Sequence, residues 1–425
     1  MAYVNELIDF IKKSPTAHYT INTVKETLVA AGYTQVFEND INAFSDGGAH
    51  FVIRGGSSII AFKGRENGFM ICASHSDSPA FKVKTELSGV GYTRLSTEKY
   101  GGMIHYSWLD RPLSVAGRVV VKTDSGVKTV LVDLDKPAFT IPSVAIHLNR
   151  AVNDGYKLNP ASDLLPLAGT SDAKGSVMKA IAEKAGCAVE DILSHDLFLY
   201  NAEEGRVIGI NDEFILSPRL DDLGCVYASL RAFLDAPASD RAVAVLAVFD
   251  NEEVGSETKQ GAASSFLDMT LRAIAGGCEK YSATLYNSFM VSADNAHAVH
   301  PNHPELSDGA HAPVLGGGVV VKYNANQRYT TDSISDGIFT TLADRAGAKL
   351  QRFSNRADMV GGSTLGSISN TRVSVPTVDI GLPQLAMHSA TETAAVSDLT
   401  DMVKVLTELY SSGIEKQGSE IMITK

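Results

Sequence analysis

The sequence predicts an α/β protein in which a mainly β block interrupts an α/β domain. Three observations lead there. The run Val243-Ala244-Val245-Leu246-Ala247-Val248-Phe249 is continuously apolar, as a strand covered on both faces requires. Helix-like stretches at about 222–234 and 264–275 lie on either side of it. After about Lys82, and until Asp221, that rhythm disappears, and short β segments separated by turn residues replace it.

Taken in order, the N-terminal stretch up to about residue 31 follows a helical period in its apolar positions, and Pro15-Thr16-Ala17 breaks it and starts a second helix. Segments 58–62 and 68–73 read as strands paired across the turn 63–68, an arrangement that delivers His75 at a strand end. The middle block contains short β runs at 90–95, 118–121 and 127–132, then a polar loop and short helix within 160–188, then strand again at 197–200. From Asp221 onward the expected order is helix, the strand at 243–249, helix, a strand leading to Asp294, and a helix at 335–346. Residues 373–379 resemble late strand material, with Pro376 favouring an edge or bulge. Asp398 is expected to cap a terminal helix whose apolar face includes Leu399, Val403, Leu406 and Leu409. The middle block is therefore expected to be a mainly β domain inserted into the α/β domain through a surface loop.

Composition narrows the function classes. A chain of 425 residues exceeds the usual single-domain size. Its 37 Lys and Arg face 49 Asp and Glu, a formal net charge of -12 with no basic tract, so no nucleic-acid partner is expected. The first residues, Met1-Ala2-Tyr3-Val4-Asn5-Glu6, carry neither a cationic region nor an apolar secretion segment, and no run of 18 apolar residues suits a membrane span. Cys72, Cys187, Cys225 and Cys278 are far apart and lack CxxC spacing, which reads as free thiols in a reducing cytoplasm.

The chemistry gathers where apolar runs stop. Asp250-Asn251-Glu252-Glu253-Val254-Gly255-Ser256 follows the strand at 243–249, and open α/β sheets bind ligands at that edge. Adjacent residues leave a strand end in different directions, so one glutamate can hold a metal while the other takes a proton from a water on that metal. His75-Ser76-Asp77 ends another apolar segment, and Asp77 at i+2 is placed to orient the His75 ring. Asp221, Asp294 and His388 stand in comparable contexts. Five ligand candidates, His75, Asp221, Glu253, Asp294 and His388, suit two divalent ions bridged by one carboxylate and one water. Their mixed nitrogen and oxygen donors point to zinc, cobalt or manganese. His297, His300 and His303 are not assigned to metal, because Pro301 and Pro304 make their segment irregular. The glycine-rich run Gly361-Gly362-Ser363-Thr364-Leu365-Gly366 lacks the Lys-Ser/Thr pair of a nucleotide phosphate loop.

Taken together and in this order, His75-Ser76-Asp77-Ser78-Pro79, Ser217-Pro218-Arg219-Leu220-Asp221-Asp222, the run 250–256, Ala293-Asp294-Asn295-Ala296-His297, Asn324-Ala325-Asn326-Gln327-Arg328-Tyr329 and Met387-His388-Ser389 resemble the M18 aminopeptidases, which include aspartyl aminopeptidase, among the co-catalytic zinc exopeptidases. The resemblance covers nearly the whole chain. It implies a three-layer α/β/α catalytic domain, with the block at 87–216 as an inserted dimerisation domain, and dimers assembled into a closed tetrahedral dodecamer. It implies that His75 and Asp294 bind one ion, Glu253 and His388 the other, and that Asp221 bridges them. Glu252 is implied as general base, Asp77 as the carboxylate behind His75, His147 as a group reaching a neighbouring subunit's site, and Lys322 as the lysine that meets an acidic first side chain. Zinc is the first expectation for the two ions. The expected activity is removal of unblocked N-terminal residues, acidic ones preferred. The alternatives are a relative that prefers neutral or basic first residues, and a non-catalytic, metal-stabilised peptide-binding or assembly protein.

Overall fold

The computed structural model describes residues 2–45, 47–65 and 67–425. Met1, at the head of the segment read for a leader, and Glu66, in the expected turn 63–68, lie outside the described residues. The chain divides into two compact units. One comprises the residues up to Asp77 with Arg206–Met387 and Glu392–Lys425; the other comprises Ser78–Gly205 with His388–Thr391.

In the first unit nine strands form one sheet, in the order Thr34–Gln35, His50–Arg54, Ser58–Lys63, Val243–Phe249, Phe69–His75, Phe289–Ala293, Thr377–Gly381, Val319–Tyr323 and Leu350–Ser354. All seven residues of Val243–Phe249 are buried, which explains its uninterrupted apolar sequence. Alternate side chains on a strand face opposite ways. Ala244, Leu246 and Val248 join one core with the helices Leu220–Asp235 and Val396–Tyr410, whereas Val243, Val245 and Ala247 join another with the helix Phe266–Ile274. Helices thus cover both faces, giving three layers.

Three local expectations are corrected. Ser58–Lys63 and Phe69–His75 do not pair as a hairpin, because Val243–Phe249 lies between them, antiparallel to the first and parallel to the second. An all-apolar strand is favoured where both faces are covered, and that preference outweighs pairing between sequence neighbours. Pro376 is in neither an edge strand nor a bulge. The strand begins at Thr377 and is internal, flanked by Phe289–Ala293 and Val319–Tyr323. Pro376 stands just before it and only accepts, taking the Met290 N–H at 3.0 Å, so its missing donor is not needed there. Asp398 lies inside the helix Val396–Tyr410 rather than capping it. Its carboxylate accepts the N–H groups of Gly316 and Gly318, each at 2.8 Å, and so anchors a distant loop.

The second unit contains a six-stranded antiparallel sheet in the order Gly126–Asp133, Leu113–Thr123, Ile192–Asn201, Ala80–Gly89, Tyr92–Tyr100 and Leu167–Thr170. Phe81, Leu95, Trp108, Val115 and Leu197 form its core with Val177 and Ile181 of the helix Ser176–Ala185. The division between units differs from the expected 87–216. Ala80–Gly89 is one continuous strand of this sheet, so the division falls before it. Phe214–Ser217 belongs to a separate five-stranded sheet of the first unit, with Arg206–Ile208, Glu392–Ala395, Pro383–Leu385 and Ala296–His297. No helix among the described residues is long and apolar enough to cross a membrane.

Candidate metal centre

Strand register brings the first ligands together. Phe69–His75 runs parallel to both Val243–Phe249 and Phe289–Ala293, with Phe249 opposite His75 and Ser292 opposite Ala73. The same register sets Asp294 level with His75 and starts the Asp250–Glu253 turn beside it. All three therefore emerge at the C-terminal edge of the parallel strands, where open α/β sheets bind ligands.

Asp221 comes from the other direction, at the irregular start of Leu220–Asp235, where Arg219 is left-handed and Asp221 has φ -85° and ψ 108°. His75 Nε2 lies 3.3 Å from Asp221 Oδ1 and 3.6 Å from Asp294 Oδ1. The other ring nitrogen, Nδ1, lies 3.1 Å from the Asp77 carbonyl and 3.4 Å from Asp77 Oδ1. Nδ1 therefore carries a hydrogen, and Nε2 is the ring atom turned toward the carboxylates, where it would serve as the ligand atom once an ion is bound. Asp222 accepts the His75 backbone N–H at 3.1 Å. Burial opposes charging His75, but Asp222, Asp221, Asp294 and Asp77 together hold its pKa well above the usual imidazole range. Burial also drives the Asp222 carboxyl well up, opposed by His75 and reinforced by Asp294 and Asp221.

The Asp77 carboxylate has a job that the sequence reading did not assign. It accepts the backbone N–H of Glu252 at 3.1 Å and that of Glu253 at 3.2 Å, fixing the short helical turn Glu252–Val254 to the end of the His75 strand. Burial pushes the Glu252 carboxyl up to about 8; His75 opposes the rise, and Asp294, Asp77 and Asp221 add to it.

His388 lies in the short segment His388–Thr391 grouped with the second unit. There its Nδ1 lies 2.6 Å from the Gly102 carbonyl, leaving Nε2 as the available donor atom. His147 is exposed in the same unit, on a segment that also exposes Val144, Ile146 and Leu148, the last at 82%. Lys322 is not placed as the sequence reading expected. It is only 2% exposed, and its ammonium donates to the carbonyls of Asp294 at 2.8 Å and Asn295 at 3.2 Å. It also lies 3.6 Å from Asp294 Oδ2 and 5.2 Å from the centre of the Tyr329 ring. Burial disfavours that charge, but Asp294, Tyr329 and Asp379 hold the lysine above its usual range. The ammonium is thus spent on the Asp294–Asn295 backbone instead of standing open to a substrate side chain. Among the described residues, His297, His300 and His303 belong to no metal-binding group; His300 packs on His303, whose Nδ1 lies 3.1 Å from Glu305.

Sequence reasoning named Asp222 only as a neighbour of Asp221, and it missed Gln384 and Glu392 and passed over Asn295. The available signal for Asn295 was its adjacency to Asp294. No sequence signal separates Gln384 from an ordinary strand residue.

The residues fit a two-ion centre. His75, Asp221, Asp222 and Asp294 offer ligand atoms within 4.8 Å of one another, and Asp221 and Glu253 do the same. Asp221 therefore belongs to two ligand groups, and a carboxylate has two oxygens with which to serve both. So many buried carboxylates repel one another unless cations neutralise them. The donors are imidazole and carboxylate without thiolate, a set suited to zinc, cobalt or manganese.

Comparison with known proteins agrees. The family model described as aminopeptidase I zinc metalloprotease (M18) matches residues 10–410. A Clostridium acetobutylicum protein described as a probable M18 family aminopeptidase 2 is 42% identical over 429 residues, covering 97% of this chain and 99% of its own. A chain in the cryo-EM structure of the Ape4 and Nbr1 complex superposes with a TM-score of 0.92 at 33% identity, covering 96% of this chain and 85% of that one. A chain of the structure described as the S. cerevisiae mApe1 dodecamer superposes with a TM-score of 0.84 at 27% identity, covering 96% of each chain.

Proposed function

We propose that this chain, which belongs to the M18 family of zinc metalloproteases and is a metal-dependent aminopeptidase, removes unblocked first residues from peptides and prefers acidic ones. The observation that carries the reading is the position of Asp221 in two ligand groups beside the Glu252–Glu253 turn. In this reading His75 and Asp294 hold one ion, Glu253 and His388 the other, and Asp221 serves both.

When bound, two divalent ions supply Lewis acidity that polarises the scissile carbonyl and acidifies the attacking water. Glu252 accepts the proton of that water at its carboxylate and returns it to the departing amine. Asp77 keeps Glu252 in reach by gripping its backbone N–H, and it keeps His75 Nε2 turned toward the ligand group. The carboxylates around the centre favour a free, positively charged α-amine, which limits cleavage to the first residue. His147, exposed on a segment with apolar neighbours, is assigned to the site of an adjoining subunit, where an imidazole N–H can donate to a developing oxyanion. The second unit is assigned to dimerisation, and the assembly is proposed to be a dodecamer, like the yeast mApe1 structure. A cytoplasmic setting, with neither nucleic acid nor membrane as partner, accords with four free cysteines and a net charge of -12. Zinc is the proposed ion, with cobalt or manganese as substitutes.

The acidic preference rests on the family resemblance. A neutral or basic preference is the second reading, favoured by the engagement of Lys322 with Asp294 and Asn295. Turnover of matched peptides beginning with Asp, Glu, Leu and Lys, measured alongside metal content, tests both levels. About two ions per chain and loss of turnover on chelation are expected, with Asp and Glu peptides fastest. Faster Leu or Lys turnover overturns the acidic preference alone, whereas full activity in metal-free protein overturns the mechanism.

A further inference from the structure

Behind Asp221 lies a closed circuit of hydrogen bonds around a single peptide unit. The Leu220 carbonyl accepts from Asn295 Nδ2 at 2.7 Å, and the Asp221 N–H of the same peptide donates to Glu392 Oε2 at 3.0 Å. Gln384 joins the two sides: its Oε1 accepts from Asn295 Nδ2 at 2.8 Å, and its Nε2 lies 3.4 Å from Glu392 Oε1. The remaining oxygen of Asn295 takes the Cys225 Sγ–H at 3.2 Å. Asn295, Gln384 and Glu392 are all buried, at 3%, 1% and 2% exposure.

Strand pairing assembles the circuit. Glu392 pairs with Ser217 on the strand that leads into Asp221, Gln384 lies on the next strand, and Asn295 directly follows Asp294. The circuit also has a direction. Both Asn295 contacts use the amide nitrogen, so Gln384 must present its oxygen to Asn295 and its nitrogen to Glu392. Position 392 must then accept at both of its terminal atoms, Oε1 from Gln384 and Oε2 from Asp221, which a carboxylate does and an amide, with one oxygen and one nitrogen, cannot.

We propose that Asn295, Gln384 and Glu392 are positioning residues that clamp the Leu220–Asp221 peptide and thereby aim the Asp221 carboxylate at both ion positions. The clamp rests on the two-ion reading and extends it to residues that do not touch the ions. Outer partners of metal ligands typically contribute about 10–100-fold in metal affinity. A peptide plane fixed at both its N–H and its C=O leaves Asp221 little freedom to rotate away.

The direction of the circuit supplies the test. Glu392→Gln is nearly isosteric but places two amide nitrogens against each other, whereas adding Gln384→Glu restores a donor to every acceptor and keeps the total charge. Zinc affinity is measured by competition with a chromophoric chelator, together with thermal unfolding of the metal-free proteins. Glu392→Gln is expected to weaken zinc binding about 10–100-fold. The swapped pair is expected to recover to within about threefold of the parent, with metal-free unfolding midpoints close to one another in all three proteins. Parental affinity in Glu392→Gln overturns the clamp, as does a swapped pair no better than the single variant. If affinity falls only in step with the metal-free midpoint, the residues support the fold alone and the proposal also fails. Gln384→Met, which removes both polar contacts without changing charge, decides the matter should Glu392→Gln not fold. A parent protein that takes up no divalent ion refutes the two-ion reading instead, and with it the purpose of the clamp.

Discussion

Asp77 Oδ1 accepts the backbone N–H of Glu252 at 3.1 Å, across 175 residues of sequence. The other oxygen takes the N–H of Glu253 at 3.2 Å, and the carboxylate faces His75 Nδ1 at 3.4 Å. One side chain thus sets the placement of a metal-ligand candidate and of the proposed base. Asp77→Asn turns one acceptor oxygen into a donor and sets it against an N–H or a ring nitrogen. A loss of about 10–100-fold in turnover or metal affinity is expected, and isothermal titration with zinc beside a peptide assay measures it. Parental values in both assays contradict this dual role.

Glu252→Gln separates base from ligand. The amide cannot accept the proton of the attacking water, yet it adds no bulk and leaves the backbone N–H to Asp77 in place. Metal content near the parent and a fall in kcat of about 10²–10⁴-fold are expected. Near-normal kcat in a metal-replete variant removes Glu252 from that role.

Lys322→Ala should lower kcat/KM by similar factors for peptides beginning with Asp, Glu and Leu. The ammonium holds the carbonyls of Asp294 and Asn295, so its loss loosens a ligand used for every substrate. The expected fall is roughly 10–100-fold, the range seen for groups that orient metal ligands. A fall confined to the acidic peptides places the ammonium against the substrate and restores the specificity role.

His147→Ala should stay assembled and lose about 10²–10³-fold in kcat, the usual effect of deleting an oxyanion donor. Mixing it with His388→Ala under conditions of proven subunit exchange should restore part of the activity. Each mixed assembly then contains sites with an intact ligand set from one chain and an intact His147 from another. Mixed assemblies without recovery contradict action across a subunit boundary.

Asp398 gives a pH signature away from the metal centre. Burial pushes its carboxyl from 3.8 up to about 6, while the Gly316 and Gly318 N–H groups pull it the other way. The folded chain therefore binds more protons than the unfolded chain between about pH 4 and 6, and this group's contribution to stability falls as pH rises through that window. Denaturant midpoints at several pH values should show a shallower decline in Asp398→Asn than in the parent. Parallel profiles for the two proteins contradict the assignment.

The sequence by itself determined which atoms could do the chemistry. His75, the Asp250–Glu253 turn and Asp294 follow apolar runs that fold as strands, and strand ends in an α/β sheet are legible because burial on both faces demands uninterrupted apolar residues. The β texture of the middle block is equally local, since alternation and turn residues act over a few positions. Only the tertiary structure decided strand order: Val243–Phe249 separates two segments that local reading pairs as a hairpin, because covering its two apolar faces outweighs sequence proximity. It also decided which groups meet the Lys322 ammonium, and these are the carbonyls of Asp294 and Asn295. The Asn295–Gln384–Glu392 circuit is likewise tertiary: its members come from separate strands and loops, and the directions of their donors exist only once those segments meet around the Leu220–Asp221 peptide.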